Sequence, residues 1–114
     1  MKKKTISIIG TGVIGAGWAA RFIASGYTVK AYDPKEKALK KLKIDVKNAL
    51  VSLKKIGLNK NTSLKNLKCH STINSAIKNS SFIQENAPEN EKIKSKLLKK
   101  IDSLSKKNVI IASS

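Results

Sequence analysis

Residues 4–33 read KTISIIGTGVIGAGWAARFIASGYTVKAYD, and this stretch decides the fold. Lys4 to Ile9 is short, rich in β-branched residues and stopped by Gly10, the pattern of a strand buried on both faces. Val13 to Ser25 predicts a helix: Ile14, Trp18, Ala19, Phe22 and Ile23 recur at helical spacing, and Gly26 follows as a left-handed stop. Thr28 to Tyr32 predicts a second strand, closed by Asp33-Pro34.

Between the first strand and the helix stands Gly10-Thr11-Gly12-Val13-Ile14-Gly15, which fits G-x-G-x-x-G. The six residues alone would say little. Here a strand precedes them, a helix follows, and Asp33 lies eighteen residues beyond Gly15, the arrangement of a dinucleotide-binding βαβ unit. Gly10 allows the tight turn, Gly12 lets the backbone approach a pyrophosphate, and Gly15 lets helix and strand close up. Gly17 is expected to extend that close packing. The helix N-terminus offers unpaired N–H groups and the positive end of the dipole to the phosphates. Asp33 is placed to accept hydrogen bonds from the adenosine ribose hydroxyls and to repel a 2′-phosphate, which favours NAD over NADP; Lys35 nearby acts against that repulsion. The plainer alternative is a turn that binds nothing, with Asp33 capping the next helix.

Working outward, Lys35 to Ile56 predicts a long helix with Leu39, Leu42, Val46, Ala49, Leu50, Leu53 and Ile56 in one apolar stripe, lysines opposite, and Gly57 as its C′ residue. Asn59 to Ser63 reads as loop, then a weak strand over Leu67–His70 and a short helix over Ile73–Ile77. Phe82–Glu85 is the next strand. Asn90–Leu104 is a helix burying Ile93, Leu97, Leu98, Ile101 and Leu104, and Val109–Ala112 is a last strand. The order βαβα then βαβαβ predicts an α/β, Rossmann-type doubly wound parallel sheet in three layers (α/β/α), one domain over residues 1–114.

The 114 residues carry 24 Lys and Arg against 7 Asp and Glu, a formal net charge of +17. Such a charge could mean nucleic acid or an anionic membrane surface. Arg21 is the one arginine, the lysines are spread over many segments, and no aromatic residues interleave them for base stacking. A general enrichment in lysine accounts for the charge, and a specific nucleic-acid partner is not expected. Cys69, alone, permits no internal disulfide and fits a reducing compartment. His70 beside it would point to the other face of a strand, so the two are read as structural and no metal site is expected. The basic start of the chain lacks the apolar run of a signal peptide, and no stretch is long enough to span a membrane, so a cytoplasmic protein is expected.

Taken together, IIGTGVIGAGWAARF, AYDP, FIQENAPEN and VIIASS resemble the NAD-binding domain of the 3-hydroxyacyl-CoA dehydrogenase family over essentially the whole chain. GTGVIGAGWAARF with IQENAPE is most similar to the L-carnitine dehydrogenase branch, which oxidises a small 3-hydroxy acid. The resemblance implies a cofactor site of Gly10, Thr11, Gly12, Val13, Ile14 and Gly15 for the glycine loop and Asp33 for the ribose. It also implies that Ala87, Glu89 and Lys94 lie beside the nicotinamide half, with Glu85 at the strand end. Glu89 and Glu91 would equally suit a helix N-terminus through its dipole. The resemblance further implies a homodimeric parent with a helical substrate domain that is not part of these 114 residues.

Two departures bear on activity. Ala49 stands where acyl-CoA enzymes of the family have a CoA-contacting serine, which leans towards a small substrate. The family's catalytic serine, His–Glu pair and asparagine would fall beyond Ser114, so no catalytic residue is assigned in this chain, and the chain alone is expected to bind NAD without turning over. Rival readings are a 3-hydroxyacyl-CoA dehydrogenase piece, a stand-alone NAD-binding sensor, and a basic nucleic-acid-binding protein on the same scaffold.

Overall fold

Apolar strands of four or five residues alternate with helices along this chain, and parallel pairing is the way such units bury both sheet faces. A computed structural model describes residues 4–10, 13–57, 63–86, 91–104 and 109–113, with the side chains of Val13, Ile14, Glu91, Ile93, Leu104 and Ser113 outside that description. Its elements are β1 (Thr5–Ile9), α1 (Val13–Ala24), β2 (Thr28–Tyr32), α2 (Glu36–Lys55), β3 (Leu67–His70), α3 (Ile73–Ile77), β4 (Phe82–Glu85), α4 (Glu91–Leu104) and β5 (Ile110–Ser113). The strands form one five-stranded sheet in the order β3-β2-β1-β4-β5, every pair parallel. The chain therefore winds outward from β1 to β3, then returns to the other side of β1 to lay down β4 and β5.

Strand alternation sorts the core into two layers. Ile8, Val29, Ala31 and Leu67 face α1 and α2, where Ala19, Ile23, Leu42, Val46 and Leu50 close over them. Ile9 and Ile83 face the other way, against Ile73, Ala76 and Ile77 of α3 and Ile101 of α4. The small residues Ala16, Ala19 and Ala20 bring α1 close to the sheet, and each large aliphatic side chain buried here is worth about 1.5–3 kcal/mol. This is the expected three-layer Rossmann-type fold.

Glycines close the helices where expected: Gly26 (φ 94°) and Gly57 (φ 71°) adopt the left-handed conformation after α1 and α2. The short α3 is held at both ends. Thr72 Oγ1 accepts from the Ser75 N–H at 3.2 Å, and Lys30 reaches from β2 to donate to the carbonyls of Ser75 (3.3 Å) and Lys78 (3.0 Å).

Some sequence expectations are corrected. Trp18, placed by its spacing on the apolar side of α1, is 43% exposed and stacks on Phe22 at 5.6 Å between ring centroids. Ile56, expected in the stripe of α2, is 65% exposed, because it is the C-cap residue and its backbone has already left helical geometry. A Cβ at Gly17 would meet nothing within 4 Å among the described residues, so this glycine makes no close packing. A 3₁₀ turn, Leu64–Asn66, which the sequence reading left unassigned, leads into β3, with Ser63 Oγ accepting from the Lys65 N–H.

Candidate functional site

In an open parallel sheet the crevice opens at the carboxyl ends of the strands, where the winding direction reverses. Here that point lies between β1 and β4. Two backbone bonds pin the end of β1 on both sides: the Gly10 N–H donates to Tyr32 O, and the Asn86 N–H donates to Ile9 O, each at 2.8 Å. Gly10 leaves the strand at φ 90°, a conformation that L residues with a side chain rarely adopt. The chain thus turns out of the sheet at Gly10 and enters α1 at Val13.

Gly15 shows why the third glycine of the motif is needed. A Cβ there would stand 3.3 Å from Gly10 O, and 3.7 Å from both Ile8 Cγ2 and Asn86 Nδ2. Even a methyl would need the backbone to give by a few tenths of an ångström, and a larger side chain would press α1 away from β1. No acidic residue stands in the first turn of α1, so the positive end of its dipole is not neutralised there. A strand end, a left-handed glycine and a helix start pressed against them together fit a diphosphate group. Thr11 and Gly12 lie outside the described residues, as do Ala87, Glu89 and the side chains of Val13 and Ile14.

Asp33 follows β2 directly, and one of its carboxylate oxygens accepts from the Lys35 N–H at 2.9 Å. The capping role weighed for it is therefore present: an Asx turn leads into α2, whose own N-cap residue Lys35 supplies no side-chain cap. Asp33 also lines a cavity of about 440 Å³ between α2 and the end of β3, with Leu39, Lys43, Cys69 and His70 among the other walls. That volume falls in the range of about 300–1,000 Å³ usual for ligand clefts. The contribution of α2 to this cavity was not foreseen. The signal was available, since residues one and two turns into a helix that follows Asp33 must lean over the same strand ends.

Cys69 and His70 diverge as expected: Cys69 packs with the α1–α2 layer, while His70 Nδ1 lies 3.1 Å from Ser75 Oγ in α3. Burial raises the pKa of the Cys69 thiol, against the pull of Lys43. Burial, with Lys30 and Lys68 adding to it, lowers the pKa of His70 and so favours the neutral ring. Burial beside Lys68 and Lys78 also lowers that of Lys30.

On the other side of the turn, Glu85 ends β4 opposite Ile9. It is fully buried, and its Oε2 lies 3.7 Å from Lys94 Nζ in the first turns of α4. Asn86, which sequence reasoning passed over, has its side-chain oxygen bonded by Gln84 Nε2 at 3.1 Å, and its nitrogen is turned towards Gly15. Period-two alternation along β4 puts both residues on the α1 face.

The sequence profile of "3-hydroxyacyl-CoA dehydrogenase, NAD binding domain" matches residues 5–114. The chain belongs to the 3-hydroxyacyl-CoA dehydrogenase family. It is 40% identical over 111 residues to L-carnitine dehydrogenase of Bacillus cereus, covering 97% of this chain and 34% of that protein. Against L-carnitine dehydrogenase of Pseudomonas putida it is 43% identical over 111 residues, covering 97% of this chain and 35% of that one. Among solved structures, the (S)-3-hydroxybutyryl-CoA dehydrogenase of Ralstonia eutropha superposes with a TM-score of 0.84 at 30% identity, covering 98% of this chain and 41% of that chain. The chain spans about a third of the length of the curated relatives it matches. It is an NAD-binding domain of this dehydrogenase family, and among the described residues no helix is long and apolar enough to cross a membrane.

Proposed function

We propose that NAD lies across the carboxyl edge of the sheet, with its pyrophosphate on the turn formed by Gly10, Thr11, Gly12, Val13, Ile14 and Gly15. The adenosine ribose then meets Asp33, and the nicotinamide half falls beside β4, near Ala87, Glu89 and Lys94. The observation that carries this reading is the closed cradle at Gly15, where a side chain would strike Gly10 O. Bound there, the cofactor supplies hydride transfer. The residues of this chain hold and orient it: backbone N–H groups at the start of α1 face the phosphates, and the Asx turn fixes the Asp33 carboxylate at the ribose end.

For the whole protein we infer oxidation of L-carnitine, or a similar small 3-hydroxy acid, to the 3-keto form. Support comes from identities of about 40% to L-carnitine dehydrogenases along nearly the full domain. Ala49 agrees with it, since a half-buried methyl packed on the core offers no hydroxyl to a CoA group. His70 is not the proton acceptor in this reading: its Nδ1 is held by Ser75 at the adenosine end, across β1 from β4. A second reading, a 3-hydroxyacyl-CoA substrate, is favoured by the likeness to the 3-hydroxybutyryl-CoA dehydrogenase.

Calorimetric titration of NADH into the chain and into Gly12→Val tests the cofactor site. Binding by the first and a loss of at least tenfold in the second is expected, and equal binding would sink the assignment. NADH formation by the protein expressed from its whole reading frame, with L-carnitine against 3-hydroxybutyryl-CoA, separates the two substrate readings.

A further inference from the structure

Glu85 is the one fully buried charged side chain among the described residues. A general enrichment in lysine does not explain it, because removing a carboxylate from water is strongly unfavourable unless its charge is answered. Lys94 answers it. The ammonium is held in the first turns of α4 with its side chain 22% exposed, so one end of the pair is sealed inside the protein and the other is partly open to solvent. At 3.7 Å the pair is longer than the 2.7–2.9 Å or so of a charge-assisted hydrogen bond. Its effect is therefore to cancel charge rather than to fix a bidentate geometry.

The pair sits where this cancellation matters. Glu85 is opposite Ile9, the residue before the glycine turn, and on the far side of that turn from Asp33. With a pyrophosphate on the turn and the adenosine ribose at Asp33, the nicotinamide can only lie on the β4 side. That ring carries one positive charge when oxidised and none when reduced. We propose that the Glu85–Lys94 pair sets the preference of this crevice between oxidised and reduced nicotinamide, Lys94 acting as a positioning residue that cancels the buried carboxylate. The inference rests on the NAD site proposed above and goes beyond it by assigning these two residues opposite effects on the two redox forms. At the screening typical of a protein edge, a change of one charge beside a ligand changes relative affinity by about tenfold.

Dissociation constants for NAD+ and NADH, measured by calorimetry on the full chain, decide the matter. Lys94→Met, which removes one positive charge, is expected to shift the NADH-to-NAD+ ratio of constants about tenfold towards NAD+. Glu85→Gln is expected to shift it towards NADH, the double variant to restore it, and Lys94→Arg to preserve it. A purely structural role would weaken both forms equally and leave the ratio in place. A ratio within twofold of wild type in Lys94→Met overturns the inference, even if Glu85→Gln fails to fold. If the unaltered chain binds neither form, the NAD site falls with it; if it binds both and the ratio never moves, only the role of the pair falls.

Discussion

The Cα of Gly15 faces the carbonyl oxygen of Gly10 so closely that a Cβ would stand 3.3 Å from it. The first turn of α1 and the last residue before it are thereby a single packed unit. The obstacle is a backbone oxygen, itself fixed because the Gly10 N–H is bonded to Tyr32 O. It cannot swing aside as the tip of a long side chain would.

Gly15→Val should therefore act on fold and site together. Overpacking at a rigid spot costs about 1–3 kcal/mol, and lifting α1 from β1 moves its N–H groups away from the place proposed for the phosphates. Urea melts should show the loss of stability, and NADH titration of the folded fraction should show binding weakened by at least tenfold. Full affinity in a folded Gly15→Val chain would mean that the phosphates lie elsewhere.

Asp33→Asn separates the two duties of that residue. The side-chain oxygen of asparagine still accepts from the Lys35 N–H, so the turn into α2 stays and stability should change by less than about 0.5 kcal/mol. The negative charge is gone, and with it the repulsion of a 2′-phosphate. Discrimination against NADPH relative to NADH should fall by about tenfold. An unchanged ratio would leave Asp33 with capping alone.

His70 makes stability depend on pH in a defined direction. Its pKa in the folded chain is lowered from 6.5, first by burial and then by Lys30 and Lys68. Below 6.5 the unfolded chain then binds the proton that the folded chain declines, so stability falls as pH drops through that region. The melting temperature of the wild type should fall between about pH 7.5 and about pH 5.5. The same scan of His70→Asn should be flatter, and identical slopes would show that the ring does not contribute.

Much of this could be read along the chain. Each strand and helix declares itself by its own period, and α1 and α2 each end on a glycine that turns left-handed. Two failures have one physical cause. Trp18 and Ile56 satisfy helical spacing yet stay exposed, because spacing says which side of a helix a residue is on but not how far a neighbouring layer extends over it. Gly17 is a separate case: it sits among glycines that matter, and a Cβ on it would meet nothing among the described residues.

Local sequence thus determined the elements, their order and the glycine turn, since strand period, helix period and left-handed glycine are properties of neighbours in the chain. The tertiary structure alone decided what meets at the strand ends: Asn86 against Gly15, Lys94 with the buried Glu85, and Lys43 with Asp33 around one cavity. The first of these exists because the chain crosses over β1 to lay β4 on its free edge; the other two exist because a helix folds back over the end of the strand that precedes it, and neither meeting carries a period in the sequence to read.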